Sequence, residues 1–378
     1  MSFALTDDQL AIRDMARSFA DEKIAPFALK WDEEKHFPVD VIKEAAGLGM
    51  AAIYVREDIG GTGLGRMEAA LIMEALATGC PAVSAYISIH NMASWMIDRF
   101  GSDALRQRFL PDLVSMQTLS CYCLTEPGSG SDAAALRTSA RRDGDHYVLN
   151  GAKQFISGAG AGDIYVVMVR TGGEGPKGIS ALVVEKGAKG LSFGPNEKKM
   201  GWHAQPTRQV IFEDCRVPVA NLIGEEGQGF KIAMAGLDGG RLNIGACSLG
   251  GAQSALEKAV RYAGERKAFG RKINEFQALQ FKLADMATKL EAARVMLYAA
   301  AAAYDRQDPE TTTKCAMAKR FASDTGSEVV DDALQIHGGY GYLHEYGVEK
   351  LARDLRVHRI LEGTNEIMRL IVARKMIG

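Results

Sequence analysis

The 378-residue chain lacks most of the features that assign a protein quickly. It has six cysteines (Cys80, Cys121, Cys123, Cys215, Cys247 and Cys315) but no C-x-x-C pair, which argues against zinc and thioredoxin-type sites. Scattered cysteines suit a reducing compartment, where they serve as small buried hydrophobes. No charge of one sign dominates: 45 Lys and Arg against 47 Asp and Glu leave a formal −2 with no strongly basic block, so nucleic acid is not expected as the main partner. No uncharged apolar run reaches the roughly 18 residues of a membrane span. The opening MSFALTDDQL carries acid where a leader would carry base, so neither a secretory signal nor a transit peptide is read there. That points to a bacterial cytoplasm, or to a mitochondrial matrix if a presequence has been removed.

What is present is an ordinary globular composition, 47% hydrophobic and 24% charged, long enough for roughly two to three domains. The first third, 1–119, reads as helical. Thr6 and Gln9 have capping-box spacing, and helical stretches follow near 39–48, 67–77 and 103–114, separated by Gly60-Gly61-Thr62-Gly63 and Pro81. From 120 to 226 the texture is that of strands: 147–149, 155–156, 164–169, 180–184 and 209–212 are β-branched or aromatic and bounded by turn pairs such as Asn150-Gly151. No long helix interrupts them, so an antiparallel β-domain is expected. From 227 to 378 long helices return. Leu279, Leu283, Met286, Leu290, Ala293 and Leu297 recur at steps of three and four, and 312–336 has the same character. The expected fold is mainly α with a central β-domain, an α–β–α plan ending in a four-helix bundle.

Five motifs carry possible chemistry. Thr125-Glu126-Pro127-Gly128-Ser129-Gly130-Ser131-Asp132 superficially mimics a dinucleotide fingerprint. Strands on both sides rule out the βαβ setting that fingerprint needs, but small residues still let backbone N–H groups approach a polar ring. Phe155-Ile156-Ser157 pairs an aromatic with a hydroxyl. Arg266-Lys267-Ala268-Phe269-Gly270, with Phe276-Gln277 beyond, could hold a pyrophosphate and an adenine. Gln335-Ile336-His337-Gly338-Gly339-Tyr340-Gly341-Tyr342 permits close backbone approach, and His337 has no partner at metal-ligand spacing, so no metal is expected. In Arg359-Ile360-Leu361-Glu362-Gly363-Thr364-Asn365-Glu366, a carboxylate follows two aliphatic residues, as a base with a raised pKa would. Taken singly, each also reads blandly: a tight turn, a sandwich strand, a solvated loop, a glycine cap, a helix N-terminal acid.

In this order and spacing the five motifs resemble the acyl-CoA dehydrogenase family, over essentially the whole chain. The resemblance implies FAD as cofactor and α,β-dehydrogenation of an acyl-CoA, with Glu362 removing the α-proton as the β-hydride moves to the flavin. It implies that Tyr122, Cys123, Leu124, Thr125, Gly130, Ser131, Phe155, Ile156 and Ser157 line the flavin ring, with Thr364, Asn365 and Glu366 near the base. Arg266, Phe269, Phe276, Gln277, Gln335, Ile336, His337, Gly338 and Gly339 would hold the adenosine and pyrophosphate end, partly across a subunit interface. Ser131, Asp238, Gly239, Gly240, Arg241, Gly363 and Arg374 would meet the substrate. Some members carry the base on a bundle helix just before the Arg of a D-x-E-R-like motif. Here Leu237-Asp238-Gly239-Gly240-Arg241 puts Gly240 at that position, which leaves Glu362 without a rival.

Within the family, 144–151 (GDHYVLNG), 155–160 (FISGAG), 164–180 and 207–220 are most similar to the valine-pathway branch, which acts on isobutyryl-CoA. A broad, short acyl pocket follows, with Tyr86, Ile87, Leu237 and 200–203 as candidate lining. The resemblance further implies a homotetramer that passes electrons to electron-transferring flavoprotein. The alternatives are a short-chain or 2-methylbutyryl-CoA dehydrogenase, an acyl-CoA oxidase, and a non-enzymatic helical scaffold; peroxide formation and a visible flavin spectrum would discriminate the last two.

Overall fold

The computed structural model describes residues 4–378; Met1, Ser2 and Phe3, where the leader reading begins, lie outside the described residues. Six helices come first: α1 (Asp7–Phe19), α2 (Ala28–Glu34), α3 (Val39–Ala46), α4 (Arg66–Gly79), α5 (Pro81–Phe100) and α6 (Asp103–Val114). The capping box at α1 forms as the spacing predicts: Gln9 N donates to Thr6 Oγ1 at 3.2 Å, and Thr6 N donates to Gln9 Oε1 at 3.1 Å. Pro81 does not merely separate elements. It opens the 20-residue α5 as its first residue, where a missing N–H costs nothing because that donor has no intrahelical acceptor.

Eight strands follow: β1 (Ser120–Cys123), β2 (Ser139–Asp143), β3 (His146–Ser157), β4 (Ile164–Arg170), β5 (Ile179–Glu185), β6 (Leu191–Phe193), β7 (Thr207–Pro218) and β8 (Leu222–Ile223). They form one sheet in the order β6-β7-β3-β2-β4-β5-β8, with β1 added beside β4. The sheet is mixed, which corrects the antiparallel expectation: β1 runs parallel to β4 with Ser120 opposite Ile164 and Cys123 opposite Val167. Strand β4 explains itself. Ile164, Val166 and Met168 pack toward α5, α6 and the start of the next helix, while Tyr165, Val167 and Val169 fill the core on the other face. A strand covered on both sides must read as a continuous apolar run.

The chain closes with α7 (Gly229–Glu265), the small hairpin β9 (Lys267–Ala268) and β10 (Arg271–Lys272), then α8 (Gln277–Asp305), α9 (Thr311–His337), α10 (Val348–Arg356) and α11 (Asn365–Ile377). The periodic stripe of α8 points inward, with Met286, Leu290, Ala293 and Leu297 buried. These helices share one core with the first third of the chain: Ala16, Ile72, Leu76 and Val83 pack in the same cluster as Leu249, Leu297, Val330 and Leu355. Helix α7 runs so close to α4 that a β-carbon on Gly250 would stand 2.1 Å from the Glu74 carbonyl oxygen. Among the described residues, no helix is long and apolar enough to cross a membrane.

Candidate active site

Glu362 stands in the turn between a 3₁₀ segment (Val357–Arg359) and α11. The chain cannot continue as helix here, because Glu362 and Gly363 take φ of 56° and 91°. A non-glycine residue held there stores of order 1–3 kcal/mol of strain, which surrounding contacts must hold in place. Several do so. Ile367 N donates to Thr364 Oγ1 at 3.3 Å, starting α11, and Arg241 Nε of α7 donates to the Glu362 carbonyl at 3.4 Å. Arg241 is itself fixed by Asp238 at 2.5 Å, and Asp238 accepts a second bond from Thr312 at 2.6 Å.

The side chain of Glu362 is treated differently from its backbone. Oε2 is shut off from solvent and has no hydrogen-bond partner among the described residues. The carboxylate rests against Gly240, where a β-carbon would lie 2.5 Å from Oε2. Burial pushes its pKa up to about 7, against the opposing charges of Arg241 and Lys319. Gly239, the preceding residue, faces the guanidinium of Arg66, and Gly236 faces the Met96 methyl. One face of α7 is thus stripped of side chains where the base, Arg66 and α5 converge.

The loop from Thr125 to Asp132 is a rigid turn. Glu126 and Ser129 exchange backbone bonds of 2.9 and 3.1 Å, and Ser129 Oγ donates to Asp132 O at 2.6 Å. Beneath it, the Glu126 carboxylate accepts from Arg137 N, Thr138 N and the fully buried Lys153 Nζ, at 2.6, 2.8 and 2.8 Å. Lys153 also donates to Leu124 O, and Gln154 N donates to Thr125 O, which ties the loop to β3 beside Phe155. Phe155 is 63% exposed at φ 60°, its ring presented rather than packed. At Gly128 and Gly130 a β-carbon would meet nothing within 4 Å, so the loop offers open backbone. Tyr122 is half-buried, and its hydroxyl is enclosed with no hydrogen-bond partner among the described residues. An open glycine loop, a presented ring and an orphaned hydroxyl fit a flat cofactor with polar edges such as a flavin. The side chains of Cys123, Leu124 and Ile156 are in the core, so only their backbones can face such a group.

A second group gathers at the far end of α9. His337 stacks on Tyr262 at 4.4 Å, Tyr262 meets Tyr340, and Arg266 lies over the Tyr340 ring at 5.5 Å. Phe269, 96% exposed on the tip of the β9–β10 hairpin, meets Phe276 edge-on at 6.2 Å. Gln277, Gln335, Gly338 and Gly339 are exposed beside them, and Ile336 is buried. Among the described residues, no hydrogen bond or ring contact joins this group to that of Glu362. Arg374 stands exposed on the last turns of α11, and Gly130, Ser131 and Glu366 are also exposed. Of the expected pocket lining, Tyr86 and Ile87 lie wholly in the main core and Met200 turns outward at 62% exposure.

Two residues escaped the sequence reading. Arg66 is buried with neither terminal nitrogen hydrogen-bonded among the described residues, 3.5 Å over the Tyr54 ring and about 5 Å from those of Trp95 and Tyr304. Lys319 is buried in α9 against the Glu362 turn. A lone cation in a helical pattern reads as solvated surface, and only the tertiary placement reveals otherwise.

Three family models match successive parts of the chain: acyl-CoA dehydrogenase N-terminal domain at 6–117, middle domain at 121–215 and C-terminal domain at 227–377. Isobutyryl-CoA dehydrogenase, mitochondrial, of Dictyostelium discoideum is 59% identical over 376 residues, covering 99% of this chain and 90% of that protein. The Bos taurus protein of the same name is 54% identical over 376 residues, covering 100% and 90%. A solved structure from work on the electron transferring flavoprotein of Acidaminococcus fermentans superposes with a TM-score of 0.97 at 42% identity, over the full length of both chains.

Proposed function

Because the chain belongs to the acyl-CoA dehydrogenase family, we propose that it dehydrogenates isobutyryl-CoA to methacrylyl-CoA, in valine breakdown, with Glu362 as the base. The reaction class and the cofactor follow from the family: the protein is an FAD-dependent acyl-CoA dehydrogenase, an oxidoreductase. Choice of the branched four-carbon substrate rests on the two isobutyryl-CoA dehydrogenase relatives. The observation that supports the base is the Glu362 carboxylate itself, its Oε2 enclosed against Gly240 and, among the described residues, free of any hydrogen bond that would commit it elsewhere.

Bound FAD supplies the two-electron oxidant for the β-hydride. The remaining work falls to the chain. Glu362 takes the α-proton, and a carboxyl held near 7 is matched to that task at neutral pH. Among the described residues the Glu362 N–H has no acceptor, so it is available to the thioester oxygen. A single donor at a developing oxyanion contributes about 3–4 kcal/mol in known cases. Tyr122, Thr125, Gly130, Ser131, Phe155 and Ser157, with the backbones of Cys123, Leu124 and Ile156, would hold the flavin ring, and Thr364, Asn365 and Glu366 would flank it. Arg266, Phe269, Phe276, Gln277, Gln335, Ile336, His337, Gly338 and Gly339 would hold the adenosine and pyrophosphate end across a subunit interface. Asp238, Gly239, Gly240, Arg241, Gly363 and Arg374, with Ser131, would meet the acyl-CoA. We read the chain as three units, 1–119, 120–226 and 227–378. They assemble as a homotetramer that hands electrons to electron-transferring flavoprotein, in a bacterial cytoplasm or a mitochondrial matrix.

The deciding experiment is a panel of straight and branched C4 and C5 acyl-CoAs, with turnover read through electron-transferring flavoprotein. The highest kcat/KM on isobutyryl-CoA is expected. One methylene shifts preference by only about 1–3 kcal/mol, so some turnover of butyryl-CoA and 2-methylbutyryl-CoA is also expected. A best rate on butyryl-CoA would reject the branched substrate while leaving the reaction class intact.

A further inference from the structure

Lys319 is 0% exposed, yet among the described residues it belongs to no ion pair. Its ammonium donates to the Gly363 carbonyl at 2.7 Å and to Asn365 Oδ1 at 3.0 Å. One turn further along α9, Ser323 and Asp324 complete the grip: Asn365 Nδ2 donates to Ser323 Oγ at 3.0 Å and to Asp324 Oδ1 at 2.9 Å. From α7, Arg241 donates to the Glu362 carbonyl. Two consecutive carbonyls in a turn of two left-handed residues are therefore each held by a cation from a different helix. The Glu362 carboxylate, by contrast, has its enclosed Oε2 without a hydrogen-bond partner among the described residues.

Resting on the reading of Glu362 as the base, we propose that Lys319 is a positioning residue for the dehydrogenation, fixing the backbone of the Glu362 turn so that the free carboxylate is aimed at the substrate. A bolted main chain with an unbonded side chain gives a base a fixed position and a free lone pair, the condition that proximity effects require. A backbone amide or a water could satisfy the Gly363 carbonyl at lower desolvation cost than a buried ammonium. What a lysine adds is charge beside the base.

That charge has a measurable effect. Burial raises the Glu362 pKa, and Arg241 and Lys319 are the two groups that oppose it. The same burial lowers Lys319 to about 8, with Glu362 opposing. The other ionisable groups around the pair are Asp238 on α7, Asp324 on α9, Glu366 on α11, His358 in the preceding 3₁₀ segment and Tyr122 on β1. Arg241 is already paired with Asp238, which leaves Lys319 as the less compensated cation.

The test uses the FAD-loaded enzyme and isobutyryl-CoA, comparing Lys319→Met, Lys319→Gln and Lys319→Arg from pH 5.5 to 9. Lys319→Met should keep its flavin and a KM within about threefold, lose at least about tenfold in kcat at pH 7, and move the acid limb of kcat to higher pH by about one unit. Lys319→Arg should return the limb toward the wild-type position. Should the methionine variant fail to fold, Lys319→Gln, which keeps a donor without the charge, carries the same expectation for the limb. A fall in kcat with an unmoved limb would reduce Lys319 to a structural role, and an unchanged kcat would overturn the proposal. Failure of the base reading would show separately, as turnover surviving in Glu362→Gln.

Discussion

The carboxylate of Glu362 occupies the space in which a side chain on Gly240 would stand, the would-be β-carbon lying 2.5 Å from Oε2 and 2.9 Å from Cδ. The two positions from which this fold could supply a base therefore compete for one volume, and the glycine yields it to Glu362.

Gly240→Ala should separate stability from activity. The methyl meets the far end of a flexible side chain, which can swing away, and alanine in a helix interior gains roughly 0.5–1 kcal/mol over glycine. Thermal stability should hold or rise slightly. The displaced carboxylate should lower kcat on isobutyryl-CoA at least about tenfold, with KM little changed. Equal kcat in both proteins would show that the carboxylate reaches its working position from elsewhere.

The raised pKa of Glu362 makes a prediction with a sign. The folded protein holds this proton up to about 7, whereas an unfolded chain releases it near 4.5. The carboxyl is therefore most compatible with the fold below pH 4.5, and stability falls as pH rises through that window, by at most ~3 kcal/mol. Glu362→Gln removes the titration. Its melting temperature should exceed that of the wild type at pH 8 and approach it at pH 5. The same variant should keep its yellow colour yet fail to bleach with substrate. A constant difference across pH would mean that the carboxyl titrates normally.

Under the flavin loop, Lys153→Met would leave Glu126 with two backbone donors and no counter-charge. Breaking a buried pair by removing one partner costs about 3–5 kcal/mol. A melting temperature several degrees lower is expected, together with faster loss of FAD on dialysis, since Lys153 also holds the Leu124 carbonyl. Retention of both properties would mean the loop keeps its shape without the clamp.

Phe155→Ala should act on the cofactor alone. The exposed ring contributes little to the core, so unfolding should change by less than about 1 kcal/mol. FAD dissociation, followed by recovery of flavin fluorescence, should quicken several-fold. An unchanged dissociation rate would remove Phe155 from the flavin site.

Much of this was legible in the chain because local rules suffice for it. Leu283, Met286, Leu290 and Leu297 announce α8 by spacing alone, and Thr6 with Gln9 announces the cap of α1. Other features depend on partners far away in sequence. Cys121 pairs with Tyr165 in parallel, 44 residues on, and nothing near either residue encodes the direction of that pairing. Pro81 misleads because the same missing N–H that breaks a helix interior is harmless at its start. Glu362 could be picked out only with the other motifs beside it. Lys319 and Arg66 could not be picked out at all, since their burial comes from helices that meet only in the folded chain.

Helix α7 carries the last consequence. Gly236, Gly239, Gly240, Gly245, Gly250 and Gly251 give it close contact with its neighbours, and each weakens it as an isolated helix by roughly 1 kcal/mol against alanine. Such a segment cannot hold its shape ahead of the helices it touches, so the wall behind Glu362 forms only as the whole core closes. Amide hydrogens from Gly239 to Ile244 should then exchange with solvent only through global opening of the molecule, and no partly folded form should possess half a catalytic pocket.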